Sequence, residues 1–320
     1  MEIINKEVIQ SYLITTARYN FTADEKRVLT RLIEMFQPML EGKKLVGKIE
    51  QDLFKNWHLT QPICQFITDG QNYKRVRDAI FALNDKKFIY ADDKGEEVIR
   101  IVEMPKVYKR GEVEFWLNPK IVDCFLNMSK GYSKYELGVS LSFKSVYTMR
   151  LYELLASQTK PITYKIDNLK SIFGVTDKYK LNADFIRRVI KTAQTELTKK
   201  SPITFTYKVS KRGRTYDKIT FSVIIQPQLQ NKDVEYNKLV RRVDTSLVLG
   251  KEIYRYLKNN YEFEDRGLKN NLSLFSRAVD LLGQDEFLEK IKEIYVRARR
   301  LKKDDPRAYL VGALKMIVKD

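Results

Sequence analysis

Apolar positions recur along this chain with helical and strand periods that alternate in a fixed order. After Thr22, residues Leu29, Leu32, Ile33 and Phe36 fall at helical spacing and make one apolar face. Thr22 and Glu25 form a capping box, so a helix is expected to start there and to end at Pro38 and Gly42. Leu45 to Glu50 reads as a short strand leading into Asp52-Leu53-Phe54. Tyr73, Val76, Ile80 and Leu83 share one face of a helix expected over Gln71 to Asn84. Phe88 to Ala91 and Val98 to Val102 read as strands about a turn at Asp92-Asp93-Lys94-Gly95. Val113 to Leu117 reads as a third strand completing that sheet.

The same order then returns. Ser142 is read as the cap of a helix whose Phe143, Tyr147, Leu151 and Leu154 form a face, with Tyr147 and Tyr152 as core residues. Ile162 to Ile166 is a short strand, and Asp167 is read as the cap of a helix carrying Leu169, Ile172 and Phe173 and ended by Gly174. Asn182 opens a long basic helix that runs to Lys200 and is followed by Pro202. Ile203 to Val209 and Lys218 to Ile225 form a hairpin around Lys211-Arg212-Gly213-Arg214. A shift of 113 residues lays Lys74-Arg75-Val76 over Arg187-Arg188-Val189, Ile80 over Ala193, and Lys86-Lys87 over Lys199-Lys200. The reading is an α+β chain of two tandem winged-helix domains followed by a C-terminal α-helical segment. Its expected boundaries are residues 1–132, 133–228 and 229–320.

Charge separates the two repeats. Of the net +18, the second holds +11, from 18 Lys/Arg against 7 Asp/Glu between Ser133 and Gln228. The first nets only +2, which suits an auxiliary or dimerising part, and the residues after Gln228 net +5. A chain with 43% hydrophobic residues can build real cores, so the charge does not mark a disordered basic protein. Such a field favours polyanions. No apolar run approaches the ~20 residues that span a bilayer, and Met1 to Lys6 lacks the layout of a signal peptide. A membrane partner is therefore not expected.

On the helix from Asn182, residues Ile186, Val189, Ile190, Ala193 and Leu197 cluster on one side. The other side presents Arg188, Lys191, Thr195 and Lys199, flanked by Arg187 and Thr192. A helix fits the major groove, where Arg and Lys pair with guanine edges or phosphates and Thr touches base edges or a thymine methyl. Lys208, Lys211, Arg212, Arg214 and Lys218 lie on or near the wing, where phosphate and minor-groove contacts are usually made. The competing reading of each basic stretch is a solvated face with no partner.

The run Tyr135-Glu136-Leu137, then Leu141-Ser142-Phe143-Lys144-Ser145-Val146-Tyr147-Thr148-Met149-Arg150-Leu151-Tyr152-Glu153-Leu154-Leu155, resembles the signature of the iteron-binding plasmid replication initiators. Leu169-Lys170-Ser171-Ile172-Phe173-Gly174-Val175, the basic helix and the hairpin continue the match in order. The resemblance covers roughly Ile3 to Pro227 and is strongest from Tyr135 to Ile225. It implies a protein that binds direct repeats in double-stranded origin DNA as a monomer. It also implies melting of the adjacent AT-rich duplex, recruitment of host replication proteins (helicase or initiator), and repression of its own gene as a dimer. In such proteins the second domain reads bases, and the first adds backbone contacts and the dimer interface. Carried onto this chain, Arg187, Arg188, Lys191 and Thr195 become base readers, and Lys74, Arg75 and Arg77 become first-domain contacts diluted by Asp78 and Asp85.

The two-domain core leaves the residues after Pro227 unexplained. Asn231-Lys232-Asp233 reads as a linker. Ser246 to Asn259, Leu272 to Leu282, Glu286 to Leu301 and Pro306 to Val318 read as amphipathic helices. Ile291, Ile294, Tyr295 and Ala298 make a stripe, with Arg297, Arg299, Arg300, Lys302 and Lys303 clustered after it. This part is either a helical appendage with a solvated face, a docking module for a host protein, or an extra DNA clamp.

Enzymatic chemistry finds little support. Gly42 to Lys48 fits the glycine-and-lysine frame of a phosphate loop, but Ile49 stands where magnesium needs Ser or Thr, and the flanking segments have the wrong order. His58 is the only histidine, which excludes a paired-histidine nicking site, and its expected role is packing or surface. Cys64 and Cys124 have no metal or disulfide spacing and read as reduced core thiols of a cytoplasmic protein. The sequons at Asn20, Asn127 and Asn271 are then chance matches. No cofactor is expected. The rival readings are a winged-helix transcriptional regulator without initiator activity, and a nicking or NTP-using replication enzyme.

Overall fold

The computed structural model describes residues 5–40, 43–68, 72–92, 95–235, 249–301 and 304–318. The chain divides into two compact units, Met1–Gln230 and Asn231–Asp320. The first unit opens with β1 (Glu7–Ser11), α1 (Tyr12–Thr16), α2 (Ala23–Leu40), β2 (Lys48–Gln51), β3 (Trp57–Pro62) and α3 (Tyr73–Leu83). It continues with β4 (Lys87–Asp92), β5 (Gly95–Arg100), β6 (Glu103–Val107), β7 (Glu112–Leu117), α4 (Pro119–Leu126) and β8 (Tyr132–Glu136). Then come α5 (Leu137–Ser142), α6 (Val146–Leu155), β9 (Ile162–Lys165), α7 (Ile166–Ile172) and α8 (Asn182–Phe185). A π-helical turn, Ile186–Ile190, leads into α9 (Lys191–Lys200), and β10 (Ile203–Arg212) and β11 (Thr215–Ile225) follow.

Local chemistry explains several starts. Thr22 Oγ1 accepts from Glu25 N at 3.3 Å, and Thr22 N donates to the Glu25 carboxylate at 2.9 Å, the reciprocal capping box expected from the sequence. Asn72 caps α3 by accepting from Arg75 N at 3.0 Å. α2 runs past Pro38 to Leu40 instead of stopping at it, and Gly42 and Gln71 lie outside the described residues.

Strand pairing departs most from the local reading. β7 does not complete the β4–β5 hairpin, which stands as its own two-stranded ribbon. Instead β7 lies between β3 and β6 in the order β2-β3-β7-β6, with Phe115 opposite Leu59. This register turns Leu59, Val113, Phe115 and Leu117 into the core. On the other face His58 packs at a tilt against Trp116 and bonds Glu114 at 2.9 Å. β1 pairs antiparallel with β8 across more than a hundred residues, and the expected join between residues 132 and 133 falls inside β8.

Two expected caps are also corrected. Ser142 closes α5, its hydroxyl donating to Val139 O at 2.8 Å, and α6 begins only at Val146. Phe143 between them is buried against Tyr152. The free N–H groups there go to Glu196 of α9, from Lys144 N at 2.7 Å and Ser145 N at 3.4 Å, so a carboxylate from a distant helix replaces the expected serine. Asp167 sits within the first turn of α7 and is not its cap, because the helix starts at Ile166. Cys124 is buried, but Cys64 is at the surface: its short turn buries Ile63 and Phe66 instead.

The second unit holds α10 (Lys251–Asn259), α11 (Asp265–Leu282), α12 (Gln284–Arg300) and α13 (Pro306–Ile317). Leu257, Leu268, Leu272, Phe275, Phe287, Ile291, Leu310 and Leu314 form its core. Of the expected helix from Ser246, residues 246–248 lie outside the described residues, as do Lys302 and Lys303.

Candidate nucleic-acid interface

The basic helix is built by its start and by its buried side. Asn182 accepts from Lys170 Nζ at 2.5 Å and donates to Tyr216 O at 2.6 Å, tying the helix start to α7 and β11. Phe185, Val189, Ile190, Ala193 and Leu197 are buried. Phe185 and Ile190 lie five residues apart, one too many for a straight α-helix to keep on one line. The π turn absorbs the extra residue and keeps both in the core. Such turns are frequent at functional sites.

That packing leaves Arg187, Arg188, Lys191, Thr192, Thr195 and Lys199 all exposed. Arg187 is held by Asp184 at 2.7 Å. Among the described residues, Arg188, Lys191 and Lys199 form no ion pair. Thr195 Oγ1 donates back to Lys191 O at 3.0 Å, so toward solvent it offers its methyl and its lone pairs. The wing extends this cationic surface. Gly213 turns the hairpin with φ +64°, and a bulge falls between Ser210 and Lys211. Lys208, Lys211, Arg212 and Arg214 are exposed and form no ion pair among the described residues, and Lys211 Nζ lies 5.1 Å from the Tyr216 ring.

α3 occupies the corresponding place in the first repeat, but its charge is largely spent. Arg75 Nε and Nη2 grip Asp24 at 3.0 and 3.1 Å, and Arg77 Nη2 bonds Asp78 at 2.8 Å. Lys74 is exposed, with no ion pair among the described residues. The carboxylate that matters most is therefore Asp24, on α2, rather than the neighbours of α3 in sequence.

The charged residues of the Arg150-Leu151-Tyr152-Glu153 run do not face outward. Arg150 is buried and donates to the carbonyls of Thr15 (3.2 Å), Ala17 (2.8 Å), Tyr19 (3.4 Å) and Ile172 (2.9 Å), with its guanidinium 3.7 Å from the Tyr19 ring centre. Burial lowers its pKa from the usual arginine value. Glu153 pairs with Lys26 at 2.7 Å, both side chains fully buried, and accepts from Gln10 at 3.0 Å. Tyr152 Oη accepts from Glu136 N at 3.2 Å. Arg27, its pKa lowered by burial, donates to Leu141 O (3.0 Å) and Phe143 O (2.6 Å). One helix thus joins the first repeat to the second. Sequence reasoning gave it an apolar face and missed the buried polar joint. The available signal was that apolar residues surround α6 on every side, which buries whatever charge it carries.

The loop before β2 runs from a helix into a strand, with Gly47 at φ +88° and Lys48 already paired opposite Thr60. Among the described residues no group of three or more His, Cys, Asp and Glu side chains is placed to hold a metal ion. No helix among them is long and apolar enough to cross a membrane.

Helix, strand, helix, recognition helix and wing, repeated once, define a tandem winged-helix protein. Comparison with known families also gives two winged-helix domains in tandem. The family described as Initiator Replication protein, WH1, matches residues 7–156, and its counterpart, Initiator Rep protein, WH2, matches residues 165–223. The chain belongs to this family of initiator replication proteins and is a DNA-binding replication initiator. A crystal structure of domain 2 and domain 3 of RctB is similar at 11% identity and TM-score 0.36, covering 70% of this chain and 92% of that one.

Proposed function

We propose that the chain initiates plasmid replication by binding direct repeats in double-stranded origin DNA through its second winged helix. Arg187, Arg188, Lys191, Thr192 and Thr195 enter the major groove, with Lys199 at its margin. Lys208, Lys211, Arg212 and Arg214 hold phosphates beside it. Lys74 is the first-repeat contact, Arg75 and Arg77 being engaged by carboxylates. The observation that carries this reading is an exposed helix face on which Arg188, Lys191 and Lys199 have no carboxylate partner among the described residues, in a member of an initiator family. Binding then supports origin opening and recruitment of a host helicase or initiator, in the cytoplasm and without a cofactor. A dimer formed through the first domain represses the chain's own gene.

Arg188→Ala and Lys191→Ala test the site. Each should cost about 1–3 kcal/mol if it meets a base edge, and should erase the preference for the repeat over a shuffled duplex. Fluorescence anisotropy at fixed salt reads both. An unchanged preference in the double variant, folded by circular dichroism, would remove these residues from the site.

A further inference from the structure

The three-stranded sheet has an outer face that the recognition helix and the wing tip do not account for. Strand order is β10-β11-β9, and alternation turns Phe205, Tyr207, Ile219, Phe221, Ile162 and Tyr164 toward the core. The opposite face carries Lys165, Lys208 and Lys218 among hydroxyls from Thr163, Thr206 and Thr220. No acidic residue occurs anywhere in Ile162 to Lys165, Ile203 to Ser210 or Lys218 to Ile225.

One pairing is unfavourable in isolation. Lys165 stands directly opposite Lys218 across the β9–β11 ladder. Like charges in that position repel, and both are exposed with no ion pair among the described residues. A phosphate bound between them attracts both ammonium groups and offsets the repulsion. The face also borders the recognition helix, because Thr198 Oγ1 of α9 lies 2.7 Å from Thr204 Oγ1 of β10. Thr163 and Thr220 join their hydroxyls at 2.8 Å in the next rank.

We propose that this outer face is a further phosphate-binding surface, taking the backbone of duplex DNA that flanks the segment held by the recognition helix, with Lys165 and Lys218 as its central contacts. The inference rests on the DNA-binding reading above. A duplex is the occupant because Tyr164, Phe205, Tyr207 and Phe221 all turn their rings to the core side, leaving this face no platform on which unpaired bases stack. Hydroxyls and ammonium groups without base-reading amides suit sugar–phosphate contact, which positions a protein without carrying sequence information.

The test uses the full chain, wild type and Lys165→Ala/Lys218→Ala, with the repeat-bearing duplex, a shuffled duplex and a single strand. Affinity is read over a range of salt. Losing two phosphate contacts should lower the slope of log affinity against log salt by about 1.8 on both duplexes, at roughly 0.9 per contact, and leave the preference for the repeat intact. An unchanged slope with normal wild-type binding overturns this proposal alone. A lost repeat preference overturns it too, since the lysines would then read bases. So does a loss confined to the single strand. Failure of the wild type to bind duplex DNA overturns both this proposal and the reading beneath it.

Discussion

Lys26 and Glu153 meet with both side chains taken wholly out of water, so disturbing either one is costly. Their side chains have no exposed surface, the pair is 2.7 Å long, and Gln10 adds a bond to the carboxylate. Replacing Lys26 by Met leaves Glu153 buried without its partner, which should cost about 3–5 kcal/mol in urea unfolding. Adding Glu153→Leu should recover much of that loss, because an apolar pair of similar volume avoids the desolvation cost. If the double variant is no more stable than Lys26→Met alone, the pair is not what holds the two helices together. Arg150 is a different case. Among the described residues it has no carboxylate partner at hydrogen-bond distance and instead bonds four backbone carbonyls, so no single replacement satisfies them all. These residues act by holding the two repeats together rather than by touching DNA.

At the scale of elements, two glycines with nearly equal dihedrals should behave differently. Gly174 ends α7 at φ +63°, with Val175 N donating back to Lys170 O at 2.9 Å. A Cβ at Gly174 would sit 2.9 Å from the Tyr19 carbonyl oxygen, a backbone atom that cannot yield. Gly213, at φ +64°, has nothing within 4 Å of its would-be Cβ. Gly213→Ala should therefore cost only the left-handed strain, about 1–2 kcal/mol, and Gly174→Ala clearly more, as thermal unfolding would read. Equal losses would mean the approach to Tyr19 relaxes freely. Local signals made much of this level legible from sequence: the Thr22–Glu25 box, the Gly174 stop, and the buried and exposed sides of the basic helix. What stayed hidden required partners far away in the chain. β7 beside β3, β1 beside β8, and Glu196 serving the start of α6 are set by tertiary packing, which no periodicity within one segment encodes. For the same reason the candidate site was legible as exposed cations, whereas the pairing of Arg75 with Asp24 was not.

For the whole molecule, the two units have separate cores, and the first has one continuous core shared by both winged helices. Arg150, Arg27 and the Lys26–Glu153 pair all cross between the repeats inside it. Removing residues 1–131 to isolate the second winged helix would strip β8 of its partner strand, take Lys26 and Gln10 from Glu153, and leave Arg150 with only the Ile172 carbonyl of its four. That truncation should therefore misfold, and sedimentation with point variants of the first repeat is the sounder measure of a monomer–dimer equilibrium. The productive cut is at the unit boundary. Residues 1–230 alone should unfold in a single transition and bind the repeat duplex as tightly as the full chain, with only a small fall in salt slope. A weakened and salt-insensitive truncation would instead make the C-terminal helices a DNA clamp. If binding survives and plasmid replication in cells is lost, those helices supply a step after DNA recognition, and contact with a host replication protein is the step to seek there.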